Sequence, residues 1–158
     1  MNHAILLACG NPLRGDDGVA VHLARQMEAN QGEPGAEILC SQQWTPELAE
    51  RISHADLAIF VDASAAIPPG QIQVQSIEAA AGRPGATAHS VSPAHLLALA
   101  EHVYGHAPQR AFLVSIGAAS FAHDRQLSAP VREAIPAALA RIQALLADAS
   151  LKGSPSQT

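Results

Sequence analysis

Apolar and polar positions along this chain follow two rhythms, and the changes between them mark out its elements. Short, unbroken apolar runs at AILLAC (4–9), EILCS (37–41), DLAIFVDA (56–63) and AFLVSIGA (111–118) read as strands buried on both faces. Between them the period lengthens to that of a helix. In GVAVHLARQMEAN, Val19, Leu23 and Met27 share one face, and Ala20 and Ala24 widen it, as an amphipathic helix requires. TPELAERI (45–52) opens with Thr45 as an N-cap, Pro46 at the first helical position and Glu47 in the first turn. SPAHLLALAEHVYG (92–105) has Ser92 as its cap, Pro93 next and Gly105 just past its end. A last helix runs from Ser128 to about Asp148, with Pro136 kinking or restarting it.

One segment breaks the pattern. In PPGQIQVQSIE (68–78), Ile72, Val74 and Ser76 alternate with Gln71, Gln73 and Gln75. That period of two predicts an edge strand with one wet face, antiparallel to its neighbour. AAAGRPGATAHS (79–90) reads as a loop. The expected architecture is three-layer α/β/α: a mostly parallel five-stranded sheet, one antiparallel edge strand, and helices on both faces. In such sheets ligands gather beyond the carboxyl ends of the strands.

The 158-residue length fits one domain, taken as 1–149 with 150–158 as a loose tail. The formal net charge is −5, Lys152 is the single lysine, and the arginines are scattered. No basic stripe exists to neutralise phosphates, so nucleic acid is excluded as a partner. No apolar stretch is long enough to span a bilayer. LLACG faintly resembles a lipoprotein cleavage box, but no positive charge precedes it, which argues against a signal peptide. Cys9 and Cys40 fit no metal spacing and read as buried, reduced thiols of a cytoplasmic protein.

Three features fall at carboxyl ends of strands or in nearby loops: the pair Asp16-Asp17 in GNPLRGDDGVAV (10–21), Asp62 ending the third strand, and the segment His89 to His95. Each has a plain structural reading. Asp16 is placed to cap the first helix, and Asp17 in its first turn gains from the helix dipole. Asp62 could close an Asx-turn in DAS. His89 reads as a surface loop histidine, and His95, at the positive end of its helix, as a surface or packing residue. His3, His22, His54, His102, His106 and His123 show no partner by spacing. Taken together, two carboxylates and an imidazole from separate loops make a mixed O/N ligand set suited to nickel or zinc, with positions left open for substrate.

Other chemistries fail. There is no phosphate loop, no H-E-x-x-H and no G-x-G-x-x-G spacing. Ser115 in VSIGA lacks the first glycine of a nucleophile elbow. Bacterial receiver domains also carry an acidic pair after the first strand and an aspartate at the end of the third. However, the lysine expected on their last strand is missing from AFLVSIGAASF.

GNPLRGDDGVAV closely resembles the G-N-x-L-x-x-D-[DE]-G-x-G signature of the hydrogenase maturation proteases. TPELAE, IFVDAS followed by PPGQI, AHSVSPAHLLALA and LSAPVREAIPAAL extend the resemblance over most of the chain. Ala20 replaces a glycine frequent in that family. The resemblance implies an endopeptidase that removes a C-terminal peptide from the nickel-loaded precursor of a nickel–iron hydrogenase large subunit. The nickel is supplied by the substrate, and no tightly bound cofactor is expected. Carried over, Asp17, Asp62 and His89 meet the metal and serve catalysis, with His95 as the alternate ligand. Asp16 caps the helix, Gly10 and Gly15 let the loop turn, and Asn11 braces it. No serine or cysteine has a base at fixed spacing, which favours water as nucleophile. Trp44 either anchors the substrate or packs under its own helix. A small metal-dependent hydrolase of another peptide or amide, or a non-cleaving assembly chaperone, are the alternatives.

Overall fold

A computed structural model of the chain describes residues 3–30, 36–80, 91–123 and 125–152. Apolar runs become strands where both faces can be covered. These are β1 (Ala4–Cys9), β2 (Ala36–Ser41), β3 (Leu57–Ser64) and β5 (Arg110–Gly117). The glutamine-alternating segment forms β4 (Ile72–Ser76), with Ile72 and Val74 half-buried and Gln71, Gln73 and Gln75 exposed. The strand order is β2-β1-β3-β5-β4. All pairs are parallel except β4 with β5, which is antiparallel. The five-stranded α/β sheet with one antiparallel edge is therefore as the sequence pattern predicts.

Among the described residues four helices cover the two faces: α1 (Val19–Asn30), α2 (Leu48–Ser53), α3 (Pro93–Tyr104) and α4 (Ala129–Lys152). Because strand side chains alternate, β3 sends Leu57, Ile59 and Val61 into a core with Val19, Leu23 and Met27 of α1 and Ile135 and Ile142 of α4. Ala58 and Phe60 face the opposite way, against Ile52 of α2 and Leu96 and Ala100 of α3. Ser92 caps α3 by accepting from the His95 N–H at 3.2 Å. Gly105 ends it in the left-handed conformation, φ 76°.

Several local expectations change. Thr45 is not an N-cap: residues 45–47 form a turn, in which the Leu48 N–H donates to the Thr45 carbonyl at 3.1 Å, and α2 starts at Leu48 with no side-chain cap. Proline at 46 removes an N–H that a longer helix would leave unpaired anyway, so the sequence signature suits the turn as well as the helix. Pro136 lies inside α4, which is assigned as one element through to Lys152. Cys40 is exposed and Cys9 half-buried; both are free thiols, but neither is the buried core residue expected. Cys40 lies on β2, a sheet edge.

Candidate active site

The first strand leads to β2 on one side, while β3 lies on its other side. The carboxyl ends of β1 and β3 therefore flank the point where the winding reverses, the usual ligand crevice of an open α/β sheet. Asp17 comes from the loop after β1, Asp62 from β3 itself.

The loop is built around Asn11. Its side-chain carbonyl accepts from the Leu13 N–H at 2.9 Å, closing an Asx-turn. Its own N–H donates to Asp17 Oδ2 at 2.8 Å. Residues Gly15–Gly18 then form a tight 3-10 turn that runs into α1. A Cβ at Gly10 would overlap the carbonyl oxygen of Asp17, so only glycine lets the strand end and the acidic turn lie this close.

Asp16 and Asp17 are neighbours with unlike environments. Asp16 is fully buried, 0 % exposed, and does not cap the helix. Its Oδ1 accepts from the Ser128 N–H at 2.7 Å. Its Oδ2 accepts from the Ala119 N–H at 2.8 Å, the Ser120 N–H at 3.1 Å and the Ser128 hydroxyl at 2.8 Å. The carboxylate thus ties the loop after β1 to the segment between β5 and α4. Burial pushes its proton affinity up, but the bonds from Ser128, Ala119 and Ser120 outweigh that and hold the carboxyl below its ordinary range. Buried and held by four bonds, this carboxylate ties the fold together.

Asp62 is not at the end of its strand and makes no Asx-turn. It pairs with Ser115 in the β3–β5 ladder, and two further residues, Ala63 and Ser64, continue the strand. Ser64 makes the turn instead, its hydroxyl accepting from the Ala66 N–H at 3.1 Å. The Ser115 hydroxyl donates to Asp62 Oδ1 at 2.8 Å. Burial raises the Asp62 carboxyl to about 6; the Ser115 bond opposes the rise and the charge of Asp17 adds to it. A carboxylate desolvated at a sheet switch point, next to a like charge, is a candidate functional residue.

Cys9 completes the cluster. The residue before it, Ala8, pairs with Val61, so Cys9 lies beside Asp62 at the end of the ladder. Its Sγ donates to the Gln42 carbonyl at 3.6 Å. Burial, then the charges of Asp62 and Asp17, push the thiol up to about 12. A thiol at that value carries almost no thiolate near neutral pH, so Cys9 is no nucleophile here.

His89 lies outside the described residues. His95 is exposed, with its Nδ1 2.8 Å from the Ser92 hydroxyl that caps α3. Among the described residues no three His, Cys, Asp or Glu side chains gather as a metal-holding group. Trp44 is half-buried and meets Phe60 edge-to-face, ring centres 5.3 Å apart, so it packs under the α2 layer. Sequence reasoning missed the contacts of Ser115 and Ser128. A lone serine inside an apolar strand is the visible signal for Ser115; nothing local signals Ser128.

No protein-family model matches the chain, and comparison with curated proteins finds no match. Solved structures do match. The hydrogenase maturating endopeptidase HybD from E. coli is 25 % identical, superposes with a TM-score of 0.70, and the alignment covers 93 % of each chain. A hydrogenase 2 maturation peptidase from a Thaumarchaeota archaeon is 21 % identical (TM-score 0.69), with 92 % of this chain and 99 % of that one covered. A NiFe-hydrogenase maturation protease, HycI from Thermococcus kodakarensis, is 18 % identical (TM-score 0.68), with 92 % of each covered.

Proposed function

We propose that this chain, which belongs to the hydrogenase maturation endopeptidases, cuts a C-terminal peptide from the precursor of a nickel–iron hydrogenase large subunit and recognises the nickel already seated in that precursor. The observation that carries this reading is the pair Asp17 and Asp62 at the switch point, one held by a main-chain N–H and the other by a hydroxyl. Each bond occupies one oxygen and leaves the other available to an incoming metal.

Nickel belongs to the substrate. It would supply vacant positions to oxygen and imidazole ligands and polarise the scissile carbonyl or a water. Asp17 and Asp62 would bind it, with His89 as third ligand and His95 as the alternate. The chain's own contribution is placement: Asn11 fixes Asp17, Ser115 fixes Asp62, and the Asp16 clamp fixes the loop that carries both Asn11 and Asp17. With Cys9 held neutral, water is the nucleophile. No helix of the described residues is long and apolar enough to cross a membrane. The free thiols suit the reducing cytoplasm, where we place the reaction.

The test is to incubate the protein with a hydrogenase large-subunit precursor, with and without nickel, and follow the precursor's mass. Loss of a C-terminal peptide from the nickel-loaded form alone is the expected result. Cleavage indifferent to nickel would overturn the recognition step; binding without cleavage would make the chain a chaperone. Asp17→Asn, Asp62→Asn and His89→Ala should each stop processing. If His89→Ala cleaves normally and His95→Ala does not, the third ligand is His95.

A further inference from the structure

On the outer side of the Asn11 loop lies an open pocket of about 390 Å³, within the size range of small-ligand sites. Asn11 and Gln42 belong to both its wall and the carboxylate cluster. The Asn11 N–H holds Asp17 and the Gln42 carbonyl takes the Cys9 thiol, while both residues also line the pocket. The pocket and the carboxylate pair are therefore neighbours across the Asn11 loop.

The lining is cationic in a chain of net charge −5. Arg25 and His22 reach it from α1, and Arg125 from the segment before α4. Both arginines are exposed. Neither forms a salt bridge among the described residues, whereas Arg51 and Arg110 do. A guanidinium fork is shaped to take a carboxylate through two parallel hydrogen bonds. Beside the arginines, Leu13 is 51 % exposed and Leu127 half-buried, and both line the same pocket. This places an apolar surface next to the cationic one.

We propose that this pocket seats a carboxylate of the precursor's C-terminal segment, gripped by Arg25 and Arg125, with an adjoining apolar side chain on Leu13 and Leu127. The inference rests on the processing reaction proposed above and adds a specificity site to it. Two sources of the carboxylate share this chemistry: the terminal α-carboxylate and an acidic side chain of the segment.

The test uses a synthetic peptide covering the C-terminal segment of a large-subunit precursor, without nickel, titrated into the intact protein by calorimetry. Binding should weaken as salt rises. Arg25→Gln and Arg125→Gln should each weaken it about tenfold or more, the scale of one lost charge-assisted contact. Arg141→Gln, on the exposed face of α4, should leave it unchanged. Loss on amidating the peptide's terminus assigns the α-carboxylate; loss on replacing its acidic side chains by amides assigns a side chain. No binding to the wild-type protein, or binding indifferent to both arginines, overturns the proposal. Because the peptide carries no nickel, the two readings separate. Arginine-dependent binding with no processing of the loaded precursor would sink the reaction and keep the pocket. Nickel-gated processing by a protein whose arginines do not matter would do the reverse.

Discussion

At the scale of single residues, two adjacent aspartates have taken opposite roles because of what surrounds them. Asp16 accepts four hydrogen bonds from Ala119, Ser120 and Ser128 with no exposed surface. Removing it strands those donors in a buried site, where each unmet group costs about 1–3 kcal/mol. Asp16→Ala should therefore destabilise the fold by roughly 3–5 kcal/mol, well beyond the ~1 kcal/mol of a lost helix cap. Denaturant unfolding of the variant measures it, and a loss near 1 kcal/mol would return Asp16 to the role of a cap. Asp17, one residue on, makes one bond to a loop N–H. Asp17→Asn keeps the shape and should cost little stability while stopping processing. That Asp16 is the structural member of the adjacent pair is legible in the sequence. The structural mechanism is not, because its partners lie more than a hundred positions away.

At the scale of elements, periodicity was legible, while local turn and cap signatures held at α3 and failed at Thr45 and Asp62. Strand and helix periods follow from which faces are covered, and the glutamines of β4 announce a wet face directly. Ser92, Pro93 and Gly105 frame α3 within a residue because capping is a property of adjacent positions. What escaped depends on register between distant strands. The Ser115 bond to Asp62 exists because β3 and β5 pair Asp62 with Ser115, and no local pattern states a register. The glycine of the acidic loop joins both kinds of information: GN after a strand signals a turn, while the reason for Gly10 is its contact with Asp17. Gly10→Ala should push the loop from the end of β1, costing about 1–3 kcal/mol and displacing Asp17, so that processing falls steeply. Gly105→Ala serves as comparison. It meets no atom within 4 Å, carries only the strain of a left-handed alanine, about 1–2 kcal/mol, and should process precursor normally. Equal loss of activity in both would mean that the effect is general destabilisation.

At the scale of the whole molecule, the two perturbed carboxyls pull stability in opposite directions with pH. Asp16 is held below its ordinary range in the fold. The unfolded chain therefore binds its proton more tightly, and the stability this gives is present above about pH 4 and is lost on further acidification. Asp62 is raised to about 6, so between roughly pH 4 and pH 6 the folded chain holds the extra proton and stability falls as pH rises. A shift of about two pH units corresponds to at most about 3 kcal/mol, reduced by the solvent that reaches this partly exposed site. The chain should thus be more stable near pH 5 than near pH 7.5, an unusual slope for an acidic protein. Asp62→Asn removes the buried charge and should flatten that slope, raising the melting temperature at pH 7.5 while abolishing processing. Thermal melts of both proteins across this range decide it. If wild type and Asp62→Asn keep a constant difference at all pH values, Asp62 is not the group that titrates. On the proposed reading, the cation that offsets the cost of an ionised Asp62 arrives with the substrate, and nickel-loaded precursor should remove the penalty when it docks. The precursor should accordingly bind wild-type protein more weakly at pH 5 than at pH 7.5, with Asp62→Asn showing a smaller dependence, the part left by the proposed imidazole ligand, which ordinarily protonates over this range.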